Sequence, residues 1–73
     1  YSIAEIVSPK EWHGRNLKDL SMRANYGINV VAIKKDNDIN VSPSAEDIIE
    51  PDDIVVAIGG TEELSRLENL ISK

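Results

Sequence analysis

One stretch limits what this chain can fold into more than any other: Met22-Arg23-Ala24-Asn25-Tyr26-Gly27-Ile28-Asn29-Val30-Val31-Ala32-Ile33-Lys34-Lys35. A helix end carrying an arginine passes through a glycine straight into an apolar strand. Glycine at that point supplies the left-handed turn that commonly ends a helix. The strand that follows is apolar on both faces at its centre, as expected of an interior strand covered once by a helix and once by a partner chain. Asparagine is a poor strand residue, yet Asn29 interrupts the run. Arg23 and Asn29 therefore stand close together at a rigid junction, where a guanidinium fork and an amide can meet an anionic ligand.

The rest of the chain reads as one small domain built around that junction. Ser2 to Val7 is a first strand closed by Ser8-Pro9. Asn16 is placed to cap a helix, with Asp19 three residues on. The helix is expected from about Leu17 to Tyr26, with Leu17, Leu20 and Ala24 on its apolar face. Asp36-Asn37-Asp38 reads as a hairpin turn and Ile39-Asn40-Val41 as a short return strand. Ile48-Ile49 is a brief strand or bridge, and Pro51-Asp52-Asp53 a turn. Because Asp52 stands where a type II turn would want glycine, type I is expected there. Ile54 to Ile58 is a second buried strand, broken by Gly59-Gly60. Thr61 with Glu62 and Glu63 caps a last helix that buries Leu64, Leu67, Leu70 and Ile71. The expected fold class is α+β, in the order β-α-β-β-β-α: a mostly antiparallel sheet with helices packed on it.

Size sets the next constraint. A domain of 73 residues is marginal on its own core, and such domains lean on disulfides, a structural metal or oligomerisation. The chain has no cysteine and one histidine, too few for a structural zinc site. Oligomerisation is the option left. The net charge of −5 argues against binding a nucleic-acid polymer or anionic lipid. No apolar run approaches a membrane span, so direct membrane insertion is not expected.

Candidate chemistry narrows quickly. His13, beside Trp12 and Gly14, lacks a nucleophile and an orienting partner, so it reads as a surface histidine and no enzyme is expected. The acidic residues of Asp36-Asn37-Asp38 and of Glu46 to Asp53 lack the spacing of a calcium loop, and no metal site is expected. Gly59-Gly60-Thr61 opens a helix, but Glu62 and Glu63 would repel a phosphate there. Arg23 and Asn29 remain, with Leu17 and Ile28 offering apolar surface beside them.

Several motifs carry a family resemblance. They are Gly14-x-x-Leu17, Arg23-x-x-Tyr26-Gly27-Ile28-x-Val30-Val31-Ala32-Ile33-Lys34, Ser42-Pro43-Ser44, Ile49-x-Pro51-x-Asp53-Ile54-Val55-Val56-x-Ile58-Gly59, and the closing Glu63-Leu64 to Leu67-Glu68. From Ile3 to about Leu70 the chain resembles the RCK C-terminal, or TrkA-C, domain of potassium-transport regulators. Within that class it is most similar to the KtrA-type gating subunits of bacterial Ktr uptake systems.

The resemblance implies a cytoplasmic regulatory domain, residues 1–73, belonging to a longer protein. An N-terminal Rossmann-like RCK domain would hold ATP or ADP, and a membrane potassium-channel subunit would be the partner of the whole. It implies a homodimer that binds cyclic di-AMP at its interface and thereby inhibits potassium uptake, with no other cofactor. Arg23 would contact phosphate, Asn29 phosphate or sugar, and Leu17, Ile28 and Pro43 would floor the adenine. The rival expectations are a dimerisation module without a small ligand and an RCK-type domain of another cation or anion transporter.

Overall fold

The computed structural model describes residues 1–71, with side chains described to residue 70. Strand β1 (Ser2–Val7) leads through a 3₁₀ turn at Lys10–Trp12 to two short helices, α1 (Leu17–Leu20) and α2 (Met22–Tyr26). Strands β2 (Ile28–Lys35), β3 (Asp38–Asn40) and β4 (Ile54–Gly59) follow, and α3 (Thr61–Ile71) closes the order. The four strands form one antiparallel sheet in the order β1-β4-β2-β3. The α+β expectation and its β-α-β-β-β-α order are what the structure contains.

The helices lie on one side of the sheet. Ile6, Ile28, Ile33, Val55 and Ala57 point to that side and pack against Leu20, Met22, Leu64 and Leu67 of the helices. Trp12 anchors this layer. It is 1% exposed, its Nε1–H donates to the Tyr26 hydroxyl at 3.2 Å, and the two rings meet edge to face at 5.5 Å. An edge-to-face aromatic pair adds about 0.5–1.5 kcal/mol beyond its area. Strand β2 is interior, as expected, but among the described residues only one of its faces is covered.

The register of β2 against β4 slips between Val30 and Ala32, leaving Val31 as a bulge. One inserted residue reverses the facing of everything beyond it. Ile28 and Val30 precede the bulge on the helix side, and Ile33 follows on the same side although strict alternation would put it opposite Val30.

Several local expectations are corrected. The helix expected over Leu17–Tyr26 breaks at Ser21, which takes a left-handed conformation (φ 46°, ψ 57°). The break is what lets Leu20 and Met22 both be buried, since residues two apart on one helix point about 200° apart. The Ser21 hydroxyl donates to the Lys18 carbonyl and the Asn25 amide to the Leu20 carbonyl, satisfying the interrupted turn. With α2 rotated, Ala24 is exposed rather than on the buried face.

Thr61 is the first residue of α3 rather than its cap; the Leu64 N–H bonds to the Gly60 carbonyl, and the Thr61 hydroxyl pairs with that of Ser2. Leu64 and Leu67 are buried, but Leu70 is 65% exposed; the side chain of Ile71 lies outside the described residues. The return strand ends at Asn40, and Val41 is exposed. His13 is half-buried rather than on the surface, with Nε2 3.1 Å from the Ser8 carbonyl and 3.3 Å from its hydroxyl.

The turn at Pro51-Asp52 also departs from expectation. The Asp53 N–H bonds to the Glu50 carbonyl at 3.1 Å, and Asp52 adopts φ +72°. Positive φ at the third position makes the turn type II, not type I. Asp53 justifies the geometry. Its buried carboxylate accepts from the Glu50 N–H at 2.9 Å and from the Lys35 ammonium, while its carbonyl accepts from the Ser8 N–H. Burial draws the Lys35 ammonium down, but Asp53 and then Glu50 outweigh it, and its pKa ends above the ordinary 10.5.

Asp52 therefore carries the strain of a left-handed residue to serve that junction. Asp52→Gly should stabilise the fold by ~0.5–1 kcal/mol, while Asp52→Val should destabilise it by a similar or larger amount. Thermal denaturation at fixed protein concentration reads both, as shifts of a few degrees in opposite directions.

Candidate functional site

Gly27 sits at φ +70° and ψ 26°, and its N–H bonds back to the carbonyls of Arg23 and Met22. A Cβ there would stand 3.0 Å from Cγ of Glu63. Glycine thus meets two demands at once: the conformation and the close approach of α3. The result is that α2 gives way to β2 within one residue, so Arg23 and Asn29 stand on the two sides of a tight corner.

Along this corner runs a groove of about 270 Å³, bordered by Leu17, Lys18, Met22 and Arg23 of the helices, Ile28, Asn29 and Val30 of β2, and Pro43, Ser44 and Ala45. All five residues singled out in the sequence, Leu17, Arg23, Ile28, Asn29 and Pro43, line it together. Arg23 and Asn29 are exposed, and Leu17 and Pro43 are half-buried. Ile28 is 1% exposed, so it closes the floor from beneath, while Leu17, Val30, Pro43 and Ala45 are the more accessible apolar residues of the lining.

The far wall is held in place by its own hydrogen bonds. The N–H groups of Leu17 and Lys18 donate to the carbonyls of Asp47 and Ala45, and Asn16 bridges to Ile48. The Asp47 carboxylate accepts from the Ser44 N–H at 2.7 Å and from the Asn40 amide at 2.8 Å. Its pKa is held below the ordinary 3.8 by the Ser44 bond first and the Asn40 bond second. The Asn16 side chain caps α1 by accepting from the Asp19 N–H at 2.7 Å, as its position in the sequence predicts. Of the residues on this side, the sequence reading singles out Leu17 and Pro43 but not Lys18, Ser44 or Ala45. The signal was indirect: Lys18 lies one residue beyond Leu17, and only the break at Ser21 brings α1 and α2 to the same rim.

The electrostatics are local. Lys18 and Arg23 both line the groove and no Asp or Glu does. Among the described residues, the ion pairs use Lys34 and Lys35, so Arg23 is not committed to a carboxylate. Cations over a half-apolar floor, with an amide beside them, suit a ligand that joins anionic oxygen to a flat apolar body. Elsewhere, no group of three or more His, Asp or Glu is gathered to hold a metal among the described residues, and no helix is long and apolar enough to cross a membrane.

The family model of the TrkA-C domain matches residues 2–72. The chain belongs to the TrkA-C family. This TrkA-C domain is 42% identical over 71 residues to Ktr system potassium uptake protein C of Bacillus subtilis, covering 97% of this chain and 32% of that protein. It therefore spans about a third of that relative's length. Among solved structures it is similar to the RCK C domain of the potassium transport protein KtrA in complex with cyclic di-AMP, with a TM-score of 0.87 and 37% identity over 96% of this chain and 82% of that one. It is also similar to the RCK_C domain dimer of Streptococcus agalactiae BusR in complex with cyclic di-AMP, with a TM-score of 0.83 and 26% identity over 99% and 97% of the two chains.

The wall predicts its own acid response. Asp47 is stabilised in its charged form, so its contribution is complete above the ordinary carboxylate range and is lost as pH falls through the lowered pKa. The amide resonances of Ser44 and the Asn40 side chain should titrate together with a midpoint below 3.8. In Asp47→Asn that titration should be absent.

Proposed function

We propose that this domain is a sensor of cyclic di-AMP: two copies join about a twofold axis, and their grooves together hold one molecule of the dinucleotide. The carrying observation is the groove itself, with Arg23 and Lys18 beside the Asn29 amide over an apolar floor free of carboxylates. Support comes from the KtrA RCK C domain, similar in fold and sequence and solved with that ligand, and from the BusR domain, a dimer with the same ligand.

The chemistry is coherent. Cyclic di-AMP carries two phosphates related by a twofold axis, and a C2 dimer presents each patch twice. One Arg23 from each subunit would meet one phosphate, and the Asn29 amide would bond to phosphate or sugar. Leu17 and Pro43, backed by Ile28, would lie against adenine. Charge-assisted bonds of this kind contribute on the order of 1.5–3 kcal/mol each. Lys18 would add attraction without the geometric demand of a guanidinium.

By this reading the chain is the C-terminal regulatory domain of a longer cytoplasmic gating subunit that acts on a membrane potassium channel. A Rossmann-like domain elsewhere in that subunit would hold ATP or ADP. Occupancy by cyclic di-AMP lowers potassium uptake by favouring one arrangement of the dimer over another, since a ligand that binds both equally shifts neither.

Calorimetry should give one cyclic di-AMP per two chains. Arg23→Ala removes two phosphate contacts per dimer and should weaken binding at least a hundredfold, with dimerisation unchanged. Lys18→Met should cost less and should flatten the dependence of affinity on salt. One ligand per chain, or no heat at all, overturns the proposal and leaves a dimerisation module. In potassium-uptake assays on the whole transporter, Arg23→Ala should remove the response to the messenger; an unchanged response would overturn the regulatory reading.

A further inference from the structure

Three of the four glycines in this chain, Gly27, Gly59 and Gly60, meet where the α2–β2 corner, the end of β4 and the start of α3 come together. A side chain on Gly59 would begin 3.0 Å from Cγ2 of Ile28 and 3.2 Å from the Gly27 carbonyl oxygen. One on Gly27 would begin 3.0 Å from Cγ of Glu63, and one on Gly60 would begin 3.1 Å from Cδ of the same residue. The space that two absent side chains leave is thus filled by one, Glu63. It is the third residue of α3 and is half-buried, whereas Glu62 beside it is exposed. A carboxylate is favoured at a helix start, but Glu62 supplies one there from the solvent side. Among the described residues no ion pair engages Glu63. Packing of its stem against the Gly27 and Gly60 backbone is what places it at the corner.

We propose that Glu63 is a positioning residue of the ligand groove: its stem, seated against Gly27, fixes the angle between α2 and β2 and with it the placement of the Arg23 guanidinium relative to the Asn29 amide. For the ligand this rests on the cyclic di-AMP reading above, but the angle of the corner is a property of the free domain. Glu63 is absent from the groove lining and borders instead a cleft formed with Asn25, Tyr26, Arg66, Leu67 and Leu70. It therefore acts through the corner and not on the ligand. The corner needs such support because a glycine is the most permissive joint in a backbone. Trp12 holds the far side of α2 through Tyr26, and Glu63 is the support on the inner side. Arg23 is exposed and paired with no carboxylate among the described residues, so its aim is set by the backbone that carries it. Binding groups must be held to within ~0.5 Å by the packing behind them, and a planar guanidinium fork tolerates misalignment less well than a compact ammonium.

Calorimetry with cyclic di-AMP on the 73-residue chain, joined to amide NMR spectra of the ligand-free protein, tests this. Glu63→Ala removes the stem and should weaken binding by about fivefold or more, while circular dichroism remains that of a folded domain. In the same variant without ligand, the Arg23 and Asn29 amide resonances should move. Glu63→Gln keeps the stem and gives up the charge; a small loss of melting temperature should come with wild-type affinity and wild-type Arg23 and Asn29 resonances, a split that a merely stabilising role would not produce. Glu62→Ala, which removes the exposed carboxylate of the same turn, should also bind like the wild type. A folded Glu63→Ala with unchanged affinity overturns the role, as does a Glu63→Gln that loses as much affinity as Glu63→Ala, or a Glu62→Ala that does so. A wild type that gives no heat with cyclic di-AMP defeats the sensor reading, and the spectra then decide alone. Arg23 and Asn29 resonances displaced in Glu63→Ala and restored in Glu63→Gln support the positioning role, and unmoved ones overturn it.

Discussion

Gly27 turns the chain from α2 into β2 within a single residue, and most of what matters in this domain follows from that corner. The left-handed backbone ends the helix without a linker, and the missing side chain lets α3 come close at Glu63. A longer connection would leave Arg23 and Asn29 on separately mobile elements. The corner instead ties the guanidinium to a strand paired with β4 from Ile28 to Lys34. Trp12 secures the same corner from the other side, through Tyr26, the last residue of α2. The cation of the groove is therefore positioned by the core rather than by contacts on the surface.

An acidic chain and an anionic ligand are compatible here because charge acts over short distances. At physiological ionic strength the screening length is about 8 Å, so the net charge of −5 matters less at the groove than Lys18 and Arg23, which line it. Two of the carboxylates are engaged elsewhere. Asp47 is occupied with Ser44 and Asn40, and Asp53 with Lys35 and the Glu50 N–H. Each holds a loop in shape and leaves the groove free of negative charge.

Much of the fold was legible because its signals are local. Asn16 as a cap, Gly27 as a helix stop and the long apolar run of β2 each follow from one or a few residues. That five candidate residues share one groove was legible for a related reason: Arg23, Ile28 and Asn29 flank the corner, Leu17 lies on the apolar face of the preceding helix, and the resemblance to the TrkA-C family supplied Pro43. The errors arose where tertiary demand overrode local preference. Nothing in Leu20-Ser21-Met22 announces a break; it exists because two apolar residues on nearly opposite helix faces both had to reach one core. Asp52 adopts a glycine-like conformation because Asp53 is needed as a buried acceptor. Trp12 carries no local signal of its place at the centre of the helix layer, which only the long-range contact with Tyr26 creates.

The bulge at Val31 bears on how this segment can change over evolutionary time. With the extra residue, Asn29 and Lys34 present to the same side although five positions apart; excising it would invert every side chain from Ala32 onward. Ile33 would then turn to solvent and Lys34 toward the core. Substitutions along this strand can accumulate one at a time, but a single-residue deletion cannot be repaired without a matching insertion nearby. Across related chains, gaps should therefore be scarce between Ile28 and Lys35 and gather instead in the connection that follows β3.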